Sequence, residues 1–462
     1  MSLLCLAACD SRPSFSQQDL DGAKLGEGLP ANFLLGASSS AFQTEGGLDN
    51  NWTDWELATW PDGTPHIKNG DRAGRAADSW NLWPDDVAAL EKLGANSYRL
   101  SLEWSRLQPN EGEWDEAAAA HYREVLKGLR AKGINPFVTL YHFALPRWFA
   151  AKGGWEWDGA QAAFESYSEH AALAFGDLVD DWTTVNEMNV VVVEGYLSGR
   201  MPPGVQDAKR AVRVYATLLK AHAASVGALR RLDTTDADGD GRATWVGIAH
   251  YVQIFQAASA ASLDPFIAGQ SDDFTNEVPL RAAKTGRIQI VFPGEIEIDE
   301  AFEGLKGSFD YLGINFYART FVRADLADPA LAKHYVPEGR PTNDAGLDLY
   351  PEGFYRVLKR YAAWGWPVVV LENGVSDADD SLRPQYLRAH LYALQRAVAE
   401  GADIRGYHHW SLTDNFELTE GFSSRFGLFA VDFTDPALKR TARPSVQVFR
   451  EAARGLGLTP AP

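Results

Sequence analysis

Eight short apolar runs of β-type residues, alternating with amphipathic helical segments, predict an α/β fold built as a single (β/α)8 barrel with an irregular excursion over its carboxyl-terminal face. A second observation agrees: polar and ionisable residues gather at the ends of those runs, the face on which barrels of this kind carry their chemistry. Length is the third. At 462 residues the chain suits one barrel with insertions, and eight strand and helix units in a row fit a closed sheet without edges better than two doubly wound domains.

The strands are expected in FLLGASSSA from Phe33, NSYRLSLEW from Asn96, NPFVTLYH from Asn135, DDWTTVNEMN from Asp180, TWVGIAHYV from Thr244, FDYLGINFY from Phe309, PVVVLENG from Pro367 and IRGYHHWSL from Ile404. Each is rich in β-branched or aromatic residues, and most are near-continuous apolar runs, as strands covered on both faces require. Helical periodicity lies between most of them, in DDVAALEKLG from Asp85, HYREVLKGLRAKG from His121, AVRVYATLLKAH from Ala211, GFYRVLKRYAAWG from Gly353 and YLRAHLYALQRAVAEG from Tyr386. Four of these five end in Gly, the residue that most readily takes the left-handed helix cap. The segment from about 257 to 308 is the least regular and is expected to form the excursion. The domain reading is a leader and polar tether over residues 1–32, the barrel over 33–456 and a short tail over 457–462.

Charge and cysteines narrow the function classes. The net charge of −19 is spread without a long acidic block, and no Lys/Arg-rich segment interleaves with aromatics, so nucleic acid and anionic lipid surfaces are not expected partners. Fifteen Trp, sixteen Tyr and twenty-three Phe suit stacking on sugar faces, and equally the filling of a large core. Cys5 and Cys9 are the only cysteines, which leaves the body without a disulfide framework or thiolate metal site. LLCLAAC resembles the bacterial lipoprotein signal with Cys9 as the lipidated residue and a polar tether after it. It lacks a basic leader region and its apolar stretch is short. Two states stay open: an extracytoplasmic protein anchored through Cys9, or an unlipidated cytoplasmic one. No run elsewhere is long and apolar enough to span a membrane.

Two strings point to the chemistry. TTVNEMN carries Glu187 and VVVLENG carries Glu372, each carboxylate closing a strand that reads as buried, and each with an Asn beside it, Asn186 or Asn373, whose amide could orient substrate or carboxylate. Ionised carboxylates at the mouth of apolar strands are costly unless a ligand or partner uses them, so a paired-carboxylate site is expected. Gln43, Arg99 with Glu103, His142, Asn315 with Tyr317, and Trp410 fall at or near the carboxyl ends of their strands and join it.

The ordered strings FLLGASSSAFQTEGG, YRLSLEWSR, TLYHFALPRWF, TVNEMN, GINFY, LENG and HWSLTDNFELTEGFSSRFGL resemble glycoside hydrolase family 1, the β-glucosidase and β-glycosidase family, from about Phe33 to Phe449. The resemblance implies a retaining hydrolase of unphosphorylated β-glycosides with Glu187 as acid/base and Glu372 as nucleophile, their carboxyl groups about 5 to 5.5 Å apart. Glu187 should keep its proton through desolvation and the neighbouring negative charge, and Glu372 should stay ionised through Arg99 and Tyr317. Carried over residue by residue, Gln43, His142, Asn186 and Glu417 bind the glycone, Trp410 lies beneath its ring, and Asn315 supports the catalytic pair. Glu417 faces the 4- and 6-hydroxyls in the family and would repel a 6-phosphate. The expected partner is a small-molecule or oligosaccharide β-glycoside, and no cofactor is implied. A transglycosidase with the same glutamate pair, and a non-catalytic carbohydrate-binding barrel, are the alternatives.

Two positions depart from the family. Met188 replaces the proline of NEP, and Leu418 replaces the tryptophan of FEW. The second removes an indole N–H that contacts the 3-hydroxyl, leaving the identity of the glycone open. Elsewhere DADGDG places Asp236, Asp238 and Asp240 as a weak calcium candidate, since Gly247 stands where the bidentate glutamate of such a loop belongs. His408 and His409 are successive strand residues that face opposite ways and cannot chelate together, so packing is expected of them.

Overall fold

The computed structural model describes residues 14–260, 263–292, 296–325, 327 and 332–461. All eight expected strands form: β1 Leu34–Ser38, β2 Ser97–Ser101, β3 Asn135–Tyr141, β4 Asp181–Asn186, β5 Trp245–Ala257, β6 Tyr311–Ala324, β7 Val368–Asn373 and β8 Ile404–Trp410. They pair in parallel in chain order, and β8 pairs with β1 to close the barrel. A helix follows each: α1 Ser79–Leu93, α2 Glu116–Ala131, α3 Ala160–Phe175, α4 Ala208–Leu232, α5 Val278–Thr285, α6 Pro351–Ala362, α7 Arg383–Ala399 and α8 Val446–Gly455.

Alternation along the strands sorts the side chains. Phe137, Trp245, Ala249, Tyr311, Val369 and Leu371 fill the lower barrel interior, while residues such as Val138, Val246, Ile248, Leu312 and Val370 face outward into the larger core beneath the helices. A closed sheet buried on both faces explains why its strands read as continuous apolar runs rather than as alternating ones.

Three regions differ from expectation. β5 and β6 run past the barrel mouth as a two-stranded ribbon, paired from Ile254↔Arg319 to Ala257↔Val322, and Ala332–Tyr335 adds to it antiparallel. The ribbon is held by an apolar cluster of Val322 and Ala332 with Ile267 and Ala268 of the helix Asp264–Asp272. The excursion is therefore more regular than expected. Its first helix rests on the ribbon at the carboxyl-terminal end, and its hairpin of Arg287–Phe292 and Ile296–Ala301 lies along α4, where Lys220 and Glu300 pair at 2.8 Å.

The described part of the expected tether is folded onto the barrel. Residues Gln17–Gly22 form a helix with a capping box at Ser16, Phe15 packs edge-on against Tyr355 and Tyr392, and Leu20 and Leu25 are buried. Burying Leu20 and Leu25 and partly burying Phe15 offsets the ordering of a mostly polar segment. The tail is docked too, with the Ala461 N–H donating to the Glu91 carbonyl at 2.8 Å. Cys9 lies outside the described residues. Among the described residues no helix is long and apolar enough to cross a membrane.

Candidate active site

Both glutamates emerge where the register of a strand slips. On β4 the pairing with β5 runs Thr183↔Gly247 and then Asn186↔Ala249, and on β7 the pairing with β6 runs Val370↔Ile314 and then Glu372↔Asn315. One extra residue stands on the glutamate-bearing strand in each case, a bulge that re-aims the side chains after it. Glu187 also adopts φ 47°, a left-handed conformation uncommon outside glycine, and its N–H donates to the Ala249 carbonyl at 2.7 Å. Gly374 follows the second string because nothing larger fits: a Cβ there would lie 1.8 Å from the Trp410 carbonyl oxygen.

The two carboxylates are buried in different company. Glu372 Oε1 accepts from Arg99 Nη1, and Oε2 accepts from the Tyr317 hydroxyl at 2.6 Å. Burial, and then the charge of Glu372, pushes the Tyr317 phenol well above its ordinary range, so it remains a donor. Arg99 is fully buried and fixed by two further bonds, Nη2 to Asn186 Oδ1 at 2.6 Å and Nε to Thr139 Oγ1 at 3.1 Å. Among the described residues no cation bonds to Glu187; its Oε1 accepts from Asn315 Nδ2 at 2.8 Å. Burial first and the negative Glu372 second push its carboxyl up to about 8, while Asn315 and Arg99 pull the other way.

Around this pair the expected sugar-binding residues converge. Asn186 Nδ2 lies 3.2 Å from His142 Nε2, which gives Asn186 a donor's role only if the imidazole carries its proton on Nδ1. Burial and the nearby Arg99 charge hold His142 well below its ordinary range, hence neutral. Its Nδ1 is buried with no partner among the described residues, a donor available to a hydroxyl. Gln43 Nε2 donates to Glu417 Oε2 at 3.2 Å and to Asn415 Oδ1 at 3.0 Å, and Trp410 Nε1 donates to Glu417 Oε1 at 3.2 Å. The Trp410 indole also stacks on His142, with centroids 5.8 Å apart. Glu417 is pushed up to about 8 by burial, so below that pH its protonated form weakens the charge repulsion expected towards a phosphate.

Some expectations move. Asn373 does not face the site: its Nδ2 donates to the Phe316 carbonyl at 2.7 Å and its Oδ1 accepts from Tyr407 at 3.1 Å, so it fixes the β6–β7 backbone. Glu103 accepts from Ser105 and Asn50 and heads the short helix Trp104–Leu107, bonded to neither Glu187 nor Glu372. Met188 is the first residue of the helix Met188–Val192, a position where proline is tolerated because that N–H has no helical partner. Leu418 is half-buried at φ 51°, at the head of the turn Leu418–Glu420. His408 packs against Phe137, with Nε2 2.9 Å from Ser97 Oγ.

The acidic group lies at the opposite end of the barrel and differs in membership. Asp236 and Asp238 converge with the buried Asp180, their oxygens within 4.8 Å of one another. Asp240 instead pairs with Arg242 two residues on. Thr139, which accepts from Arg99, and Asn415, which accepts from Gln43, were not legible as site residues, being ordinary polar residues with no motif that singles them out.

Comparison with known proteins agrees with this geometry. The model of glycosyl hydrolase family 1 matches residues 26–457. The β-galactosidase of Pyrococcus woesei is 32% identical, covering 93% of this chain and 98% of its own length. β-Glucosidase A of Thermotoga maritima is also 32% identical over 93% of this chain and 98% of its own. Among solved structures, the Thermotoga maritima β-glucosidase in complex with glucoimidazole superposes with a TM-score of 0.82 at 30% identity, covering 94% of this chain and 100% of that one. The β-glycosidase from Pyrococcus horikoshii gives 0.81 at 33% identity, covering 94% and 96%.

Proposed function

This chain belongs to glycosyl hydrolase family 1, and on that premise we propose that it hydrolyses unphosphorylated β-glucosides or related β-glycosides with retention, through a covalent glycosyl-enzyme intermediate on Glu372. The observation that carries the assignment of roles is the contrast between the two carboxylates. One is bonded to a guanidinium and a phenolic O–H, and the other is buried beside a negative charge and pushed up to about 8.

In the first step Glu372 attacks the anomeric carbon, the glycosidic bond breaks, and the Glu187 carboxyl gives its proton to the departing oxygen. Glu187 is then a carboxylate. In the second step it takes a proton from water, whose oxygen displaces Glu372 and restores the starting protonation of both groups. Arg99 and Tyr317 hold Glu372 on its attack line and accompany it as its charge is lost and regained. Asn186, His142, Gln43 and Glu417 offer the donors and acceptors that a hydroxylated glycone needs, with Trp410 beneath it. The side chains that donate to Glu417 among the described residues are an indole and an amide rather than cations, which favours an unphosphorylated sugar.

The relatives' names cover β-glucosidase and β-galactosidase, so either 4-hydroxyl configuration is a candidate. Leu418 adds tolerance at the 3-hydroxyl. The test is incubation with a 2-deoxy-2-fluoro β-glycoside bearing a good leaving group, followed by peptide mass mapping. Label on Glu372, and no label or turnover in Glu372→Gln, is expected; label elsewhere with Glu372 unmodified refutes the assignment.

A further inference from the structure

The side chain of Glu417 is fixed by Gln43 and Trp410, but its backbone belongs to the turn Leu418–Glu420, which leaves the barrel after β8. That turn closes on itself. The Glu417 N–H donates to the Gly421 carbonyl at 2.8 Å, and the Gly421 N–H donates back to the Leu418 carbonyl at 3.0 Å. The position of Glu417 therefore follows that of the peptide joining Gly421 to Phe422.

An arm from the other end of the chain grips that peptide. Asp71 follows the turn Lys68–Gly70, and its Oδ2 accepts from the Phe422 N–H at 2.9 Å. The N–H held by Asp71 and the carbonyl that accepts from Glu417 belong to one planar peptide unit, so fixing one end fixes the other. The approach is close. Gly421 stands at φ 58° and ψ −134°, a conformation that favours glycine, and a Cβ on it would lie 2.5 Å from Asp71 Oδ2. The arm is itself anchored: Ile67 is fully buried, the Ala73 N–H donates to Glu56 at 2.9 Å, and the Gly74 carbonyl accepts at 2.7 Å from the N–H of Gly47, shortly beyond Gln43. Lys68 adds a pair with Glu420 at 2.9 Å, but both side chains are about half exposed, where such pairs contribute little. Asp71 is the stronger tie, a half-buried carboxylate on a backbone N–H.

We propose that Asp71 is a positioning residue for the glycone site: through the Gly421–Phe422 peptide it sets where Glu417 stands, and thereby sets discrimination at the 4- and 6-hydroxyls, acting through Glu417 rather than on the sugar. This rests on the reading of Glu417 as a glycone-binding residue. Without the tie the peptide is free to rotate, and the two oxygens of Glu417 lose their alignment with the hydroxyls.

The experiment measures kcat/KM for 4-nitrophenyl β-glucoside and for 4-nitrophenyl β-xyloside, which lacks the hydroxymethyl group, in the full-length protein and in Asp71→Ala, Asp71→Asn and Glu417→Ala. Asp71→Ala is expected to lower the glucoside-to-xyloside ratio about tenfold, mostly through the KM of the glucoside. Asp71→Asn, whose carbonyl oxygen can accept the same N–H, should keep the ratio within about threefold of the wild-type value. A merely structural role would lower both substrates alike together with the melting midpoint. That result would overturn the proposal, as would an unchanged ratio in Asp71→Ala, or a ratio in Asp71→Asn as low as in Asp71→Ala. Should Asp71→Ala not fold, Asp71→Glu, which keeps the charge but carries the acceptor one methylene further out, takes its place under the same criteria. Glu417→Ala that keeps the wild-type ratio would instead remove the reading of Glu417 on which the proposal rests.

Discussion

Replacing Asn315 by alanine should move the alkaline limb of activity upward. Among the described residues Asn315 Nδ2 makes the one side-chain hydrogen bond to Glu187, at 2.8 Å, and the carboxyl is buried. It favours the charged form of Glu187, and Arg99 acts in the same direction, against the larger effects of burial and Glu372. Removing a donor that stabilises the carboxylate raises the pKa. A hydrogen bond to a charged group is worth about 1.5 to 3 kcal/mol, which at about 1.4 kcal/mol per pH unit corresponds to a rise of roughly one to two units. Asn186 keeps its bond from Arg99 at 2.6 Å, so its amide is not released by the change. The assay is the pH dependence of kcat/KM for an alkyl or sugar glycoside, which reports the free enzyme. The wild-type limb should fall near pH 8 and the Asn315→Ala limb above pH 9, and a 2,4-dinitrophenyl glycoside, whose departure needs no acid, should show no such limb in either. An unmoved limb, or one displaced to lower pH, would refute the account of what sets the protonation of Glu187.

Three further outcomes are expected. Glu187→Ala should lose turnover of glycosides with poor leaving groups while still reacting with activated ones, and azide should restore the second step with a β-glycosyl azide as product; an α-azide would contradict retention. Leu418→Trp should sharpen preference for glucoside over its 3-deoxy analogue by about 2- to 12-fold, equivalent to about 0.5 to 1.5 kcal/mol for one neutral hydrogen bond; steep discrimination already present in the native protein would remove the argument. Asp181→Asn should flatten the pH dependence of stability. Burial, then the neighbouring Asp238 and Asp180 charges, push Asp181 up to about 7 against the bond from Asn135. The folded state therefore holds a proton that the unfolded state releases between about pH 4 and pH 7, and stability falls across that window by up to about 1.4 kcal/mol per unit. An asparagine there can donate to Asn135 Oδ1, which is buried without a partner among the described residues. Thermal melting at pH 5 and pH 8 tests this, and a variant equally destabilised at both would count against it.

The barrel and the paired carboxylates were legible in the sequence because both depend on local signals. Strands buried on two faces must be runs such as VVVL, and glutamates that close such runs are too costly to be idle. The extension of β5 and β6 beyond the mouth was not legible, since Val322 is buried, with Phe255 packed against it, by residues of the helix Asp264–Asp272 that lie outside both strands. The same holds for the polar N-terminal segment, which is ordered by Tyr355 and Tyr392 on helices far away in the chain. Within the site, residue types and strand ends determined which side chains would meet. Their roles were set by register and burial, which bring together groups distant in sequence: the bulges before Asn186 and Glu372, and the turning of Asn373 onto the β6 backbone. A chain of residues records its own periodicity and chemistry, but the electric field at Glu187 is a sum over neighbours from β2, β6 and β7, and only closure of the barrel puts them there.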